Sequence, residues 1–120
     1  MTEYYSSRVN VEVLGSRVYK LLTPYIYTDK NIKVSAPAGL ITDFISVPLG
    51  FFIKPDENGM LGAGIIHDYL YSKQSFYNYT RKEADYIFYT IGMIKNGKKW
   101  KVTAAYYAVR LFGWLFYKKK

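Results

Sequence analysis

The sequence predicts an α+β chain, with an N-terminal antiparallel β-sheet of three to five short strands followed by three α-helices. The first observation is period-two alternation of apolar residues in the early chain, as in Val9, Val11 and Val13 with Asn10 and Glu12 between them. The second is a switch to a period of 3.6 near Gly59. The third is Thr80 followed three residues later by Glu83, the spacing of a helix-opening capping box.

The strand half, residues 1–58, breaks up at its turn residues. Gly15-Ser16 offers a tight turn before Val18, Lys20 and Leu22, and Pro24 places Tyr25, Ile26 and Tyr27 at a strand start or edge. Ile32 to Val34 is a further short strand before Pro37 and Gly39, while 47–50 and 54–59 are punctuated as loops. The helical half, residues 59–120, opens with Gly59 to Tyr71, which contains the small-residue stretch Gly62-Ala63-Gly64. A second helix runs from the Thr80 cap toward Gly97. Val102, Ala105, Tyr106, Val109, Phe112, Gly113 and Phe116 then share one helical stripe, giving a third helix. Its opposite face, with Tyr107, Ala108, Leu111 and Leu115, is apolar too and calls for a cover, a partner or lipid.

Size and composition bound the function. A chain of 120 residues and 14.0 kDa, half of it apolar, is long enough for one packed domain over residues 1–120. The absence of cysteine excludes disulfides, iron–sulfur clusters and thiolate zinc sites, and a single histidine excludes a multi-histidine metal centre. Charge is lopsided: residues 1–94 are neutral in sum, and residues 95–120 hold the whole net charge of +8. Such an end suits an anionic lipid surface or an acidic protein partner, or serves as a solvated basic helix. Nucleic acid is not indicated, because no recognition motif accompanies the lysines. Met1 to Arg8 is polar with no apolar core segment, so no signal peptide is expected. Val102 to Tyr117 has 16 residues with Arg110 inside it, short of the ~20 that a spanning helix needs.

The candidate chemistry centres on His67-Asp68 in the first helix. Ala63, Gly64 and Tyr71 lie on the face of His67, and Asp68 projects about 100° away around the helix. A lone histidine acts as a base only when an acceptor orients its other ring nitrogen, and Asp85 on the second helix is placed to do so. Beside Phe88 a carboxylate is costly to bury alone, so Asp85 is expected to have a partner. The same residues equally suit a satisfied structural hydrogen-bond network. Ser46 lacks the Gly-x-Ser-x-Gly turn of a serine nucleophile and reads as a cap or turn residue, as does Asp43.

Several segments together resemble a family of small phage and prophage proteins of unassigned function. They are Thr42-Asp43-Phe44-Ile45-Ser46-Val47-Pro48, His67-Asp68-Tyr69-Leu70-Tyr71, Arg81 with Ala84-Asp85 and Phe88, and Val109-Arg110 with Phe112-Gly113. The likeness covers most of the chain from about Ala36 onward and implies a location in host cytoplasm or virion. More distantly, His67-Asp68-x-x-Tyr71 followed by Ala84-Asp85-x-x-Phe88 is similar to phospholipases A2 of the disulfide-free viral type. That similarity implies a calcium-dependent hydrolase of phospholipid or related esters. In it, His67 would activate a water, Asp85 would orient His67, Tyr71 would support by hydrogen bonding, and Asp68 would bind Ca2+, joined by Asp43, backbone carbonyls or waters. The alternative is a non-catalytic virion or accessory protein that keeps the His/Asp network for folding and docks on a partner through its basic aromatic C-terminal helix.

Overall fold

A computed structural model of the chain describes residues 4–15, 18–43, 60–72, 75–95, 99–112 and 114. Six strands come first: β1 (Tyr4–Ser6), β2 (Val11–Gly15), β3 (Val18–Leu21), β4 (Tyr25–Asp29), β5 (Lys33–Ala36) and β6 (Ile41–Asp43). Three helices follow: α1 (Met60–Tyr71), α2 (Arg81–Lys95) and α3 (Lys99–Phe112). The α+β class is as the periodicity predicts. Among the described residues, however, the strands number six rather than three to five, and they divide into two antiparallel sheets, β1-β4-β5 and β2-β3-β6, rather than one.

β1 and β6 account for the difference. Tyr4 and Tyr5 are exposed and carry no period-two apolar signal; the strand is held from outside, by pairing Tyr4 with Asp29 and Ser6 with Tyr27. The Ser6 hydroxyl also bonds the Tyr25 hydroxyl at 2.9 Å, and the Ile26 amide donates to Ser7 Oγ at 2.8 Å. β6 is likewise recruited by β3, where Tyr19 faces Thr42. A turn at 37–39 carries the chain from one sheet to the other. There Gly39 adopts φ 91°, a conformation that favours glycine, and its amide donates to the Leu21 carbonyl at 2.7 Å.

β4 shows why the first sheet forms where it does. Tyr25 and Tyr27 are wholly buried while Ile26 between them is exposed, so one face meets α1 and the other meets water. Gly62 of α1 lies directly against the Tyr25 ring, where a Cβ would overlap it. Within the small-residue stretch of α1, Gly62 is therefore a point of close packing on the sheet. Ala63, Ile65, Ile66, His67, Tyr69 and Leu70 are all buried, because α1 lies between the first sheet and α2. α2 opens with the expected capping box: the Thr80 amide donates to Glu83 Oε1 at 2.8 Å, and the Glu83 amide donates to Thr80 Oγ1 at 3.1 Å. α3 starts three residues before the predicted stripe, and it buries Val102, Ala105 and Val109 against α2. The Gly15-Ser16 turn, the 47–50 and 54–59 loops, and Gly113, Phe116 and the lysines 118–120 fall in whole or in part outside the described residues. None of the described helices is long and apolar enough to cross a membrane.

Candidate functional site

His67 and Tyr71 are four residues apart on α1 and therefore project from the same face, toward α2. Asp85 comes up from the first turns of α2 to meet them. The His67 Nε2 lies 2.7 Å from Asp85 Oδ1, and the Tyr71 hydroxyl donates to that same oxygen at 2.5 Å. All three side chains are buried, His67 at 1% and Asp85 at 0% exposure. The predicted pairing of His67 with Asp85 on neighbouring helices is thus what the fold contains.

The second carboxylate oxygen engages cations. Arg110 of α3 donates from Nη1 to Asp85 Oδ2 at 2.7 Å, and Arg81, one helical turn before Asp85, approaches the same oxygen at 3.4 Å. Arg81 also donates to the carbonyls of Val109 and Arg110, at 3.0 and 3.3 Å. It therefore satisfies groups at the end of α3 that lack partners within the helix. One buried carboxylate thereby ties α1, α2 and α3 together. Neither arginine is marked in the sequence as a partner of Asp85. The Arg81 contact has a local signal, an i,i+4 pair on one helix face, whereas the Arg110 contact spans 25 residues and has none.

Burial alone would raise the Asp85 pKa, but the hydrogen bonds from His67, Tyr71 and Arg110 outweigh it and hold the carboxyl below its ordinary value. Asp85 is accordingly ionised, and an ionised carboxylate only accepts, so His67 carries a proton on Nε2. Basic capacity of the imidazole is then confined to Nδ1. For Tyr71, burial and then the hydrogen bond and charge of Asp85 push the phenol above its ordinary value, keeping it a donor. The imidazole is flanked by the rings of Tyr71, 4.1 Å between centroids, and Phe88, at 5.1 Å. These rings shield the His67–Asp85 bond from solvent and strengthen it.

Asp68 is half-buried, with one carboxylate oxygen fully enclosed, and lies outside the Asp85 cluster. Asp43 closes β6 opposite Val18. The loop beyond it, from residue 44 on, lies outside the described residues. Among the described residues no group of three or more His, Cys, Asp or Glu side chains is arranged to hold a metal ion.

Neither a curated protein nor a solved structure matches the chain. The sequence profile of a family described as proteins of unknown function, DUF1353, matches residues 19–109, a span that runs from within β3 through His67, Tyr71, Arg81 and Asp85 to Val109 in α3. The chain therefore belongs to the DUF1353 family.

Proposed function

We propose that this protein is a phage-type hydrolase of phospholipid or related esters, with His67 as the base. The observation that carries this reading is the 2.7 Å bond between His67 Nε2 and Asp85 Oδ1, with Tyr71 on the same oxygen. It fixes the proton on Nε2 and leaves Nδ1 to take one from water. The resulting hydroxide attacks the ester carbonyl. The imidazolium then returns the proton to the departing alcohol as the acyl–oxygen bond breaks, releasing a carboxylate. Asp85 orients the ring and stabilises its charged form; Tyr71 holds Asp85 in place. Asp68, half-buried on the same helix, would supply a carboxylate to Ca2+, with backbone carbonyls and water completing a shell of six to eight oxygens. Bound calcium supplies polarisation of the ester carbonyl.

The substrate surface follows from α3. Trp100, Tyr107, Leu111 and, just past the helix, Trp114 are each at least 60% exposed. Lys99 and Lys101 accompany them. An exposed aromatic face with basic residues suits an anionic lipid interface.

Fatty-acid release from phosphatidylglycerol vesicles in calcium tests the reading. The wild-type chain should release fatty acid, and His67→Gln should lose about 10²–10⁴-fold. Asp68→Asn should lose the calcium response while keeping the fold. Equal release from wild type and His67→Gln would overturn the reading. A second reading rests on Arg81 and Arg110, which engage Asp85 while Arg81 also bonds two carbonyls of α3. In it the cluster serves folding, and the protein is a virion or accessory component docking through α3. That reading predicts large stability losses on breaking the cluster, with no hydrolysis at any calcium concentration.

A further inference from the structure

We propose that the groove between the β4–β5 turn and the exposed face of α2 and α3 binds a neutral saccharide. Its volume of about 430 Å³ is that of a small-ligand site, and none of its lining residues belongs to the His67–Asp85 cluster. Three aromatic rings line it: Tyr79 before α2, Tyr86 on α2 and Tyr106 on α3.

The walls are built from constrained elements. Asp29 at the turn accepts from the Asn31 and Ile32 amides, both at 2.8 Å, and from the Tyr27 hydroxyl at 2.7 Å. Glu83 is fixed by the capping box. Tyr106 packs on Tyr89 at 5.0 Å between centroids, and Tyr89 on Tyr86 at 6.3 Å. A ligand entering here meets rings that are already positioned, so little ordering entropy is lost on binding.

Charge selects the ligand class. Asp29 and Glu83 outnumber Lys82, so the groove carries one net negative charge on a chain of net charge +8. The two carboxylates disfavour an anion and accept from hydroxyls, and the exposed Lys82 ammonium among them offsets part of their pull on a cation. What remains suited is an uncharged molecule with both hydrogen-bonding hydroxyls and an apolar C–H face. Asn31 and Lys82 are exposed and can donate to hydroxyls, and the Tyr86 and Tyr106 hydroxyls both donate and accept. The electron-rich faces of the tyrosines attract the C–H bonds of a pyranose ring.

Saturation-transfer NMR with maltose, cellobiose and N,N′-diacetylchitobiose is the test. At least one should bind, with a Kd of about 1 mM. Tyr86→Ala should weaken it about tenfold, the loss of one aromatic stacking contact. Tyr86 is 58% exposed, so the variant should keep its fold, which circular dichroism would verify. Tyr107→Ala, equally exposed but outside this groove, should bind as wild type does. Vesicle hydrolysis should be unchanged in Tyr86→Ala, so failure here and failure of the hydrolase reading are separate results. No transfer to any of the three sugars, or transfer that Tyr86→Ala leaves intact, would overturn the proposal. So would binding of tetramethylammonium that the same substitution removes, since that would mark a cation cage.

Discussion

Asp85 and Asp29 have the same local chemistry and opposite environments. Each accepts a hydrogen bond from a buried tyrosine, Tyr71 at 2.5 Å and Tyr27 at 2.7 Å, and each carboxyl is held below its ordinary pKa. In both, burial works toward a higher pKa and hydrogen bonds overcome it. Asp29 is half-buried at a hairpin turn, and its other donors are two backbone amides. Asp85 is fully buried among helices, and its other donors are His67, Arg81 and Arg110. Neutral donors close to the chain lock a turn. Donors from three helices, two of them guanidinium groups, lock a tertiary arrangement, and the carboxylate holds one imidazole in a defined tautomer.

The largest effect should come from removing the Asp85 carboxylate. Asp85→Ala leaves two guanidinium groups facing a cavity and should cost about 3–5 kcal/mol. Asp85→Asn keeps the volume but not the charge and should recover little, as chemical denaturation would record. If Asp85→Asn were as stable as wild type, the charged character of the cluster would be irrelevant to folding, and the contrast with Asp29 would collapse.

Acid should separate the two sites next. A carboxyl with a depressed pKa contributes stability above its unfolded value near 3.8, and that contribution is lost as pH falls through the lower folded value. Unfolding free energy should therefore drop as pH falls below about 4. Asp85→Asn should flatten most of that slope, and Asp29→Asn a smaller part of it, because water already reaches Asp29. Equal flattening by the two variants would show that burial does not distinguish them.

At Asp29 itself the expected losses are smaller. Asp29→Ala removes the acceptor of two backbone amides and of the Tyr27 hydroxyl and should cost about 1–2 kcal/mol. Asp29→Asn keeps an oxygen for the two amides and should restore most of it. Rescue by asparagine at 29 and failure of rescue at 85 is the sharpest form of the comparison. It needs only four thermal melts.

The contrast also marks what the sequence makes legible. The Thr80–Glu83 box is local, so the start of α2 follows from four residues. His67 and Asp85 sit on consecutive helices joined by a short connection, and a buried carboxylate needs a partner, which brings the two together on paper. β1 had no such signal, because an exposed edge strand is specified by its partner β4 rather than by its own alternation. Arg110 was equally silent as a partner of Asp85: its basic character reads as surface charge until α3 is folded back on α2. The tyrosine groove needs three separate segments in place before it exists, so composition announced the rings and not their meeting point.

The smallest expected effects compare the two tyrosines. Tyr71→Phe removes one of several donors to Asp85, leaving His67 and both arginines, and should cost about 1 kcal/mol, near the lower end for hydrogen bonds to charged groups. Tyr27→Phe should cost less, since water can replace the phenol at half-buried Asp29. The informative difference lies in activity. If Asp85 orients a catalytic imidazole, Tyr71→Phe should slow ester hydrolysis more than its stability loss accounts for, because the oxygen that holds His67 would lose a fixed donor. Tyr27→Phe should leave the rate alone. A Tyr71→Phe variant with full hydrolytic rate would assign the phenol to packing, and Asp85 would then have to orient the imidazole without it.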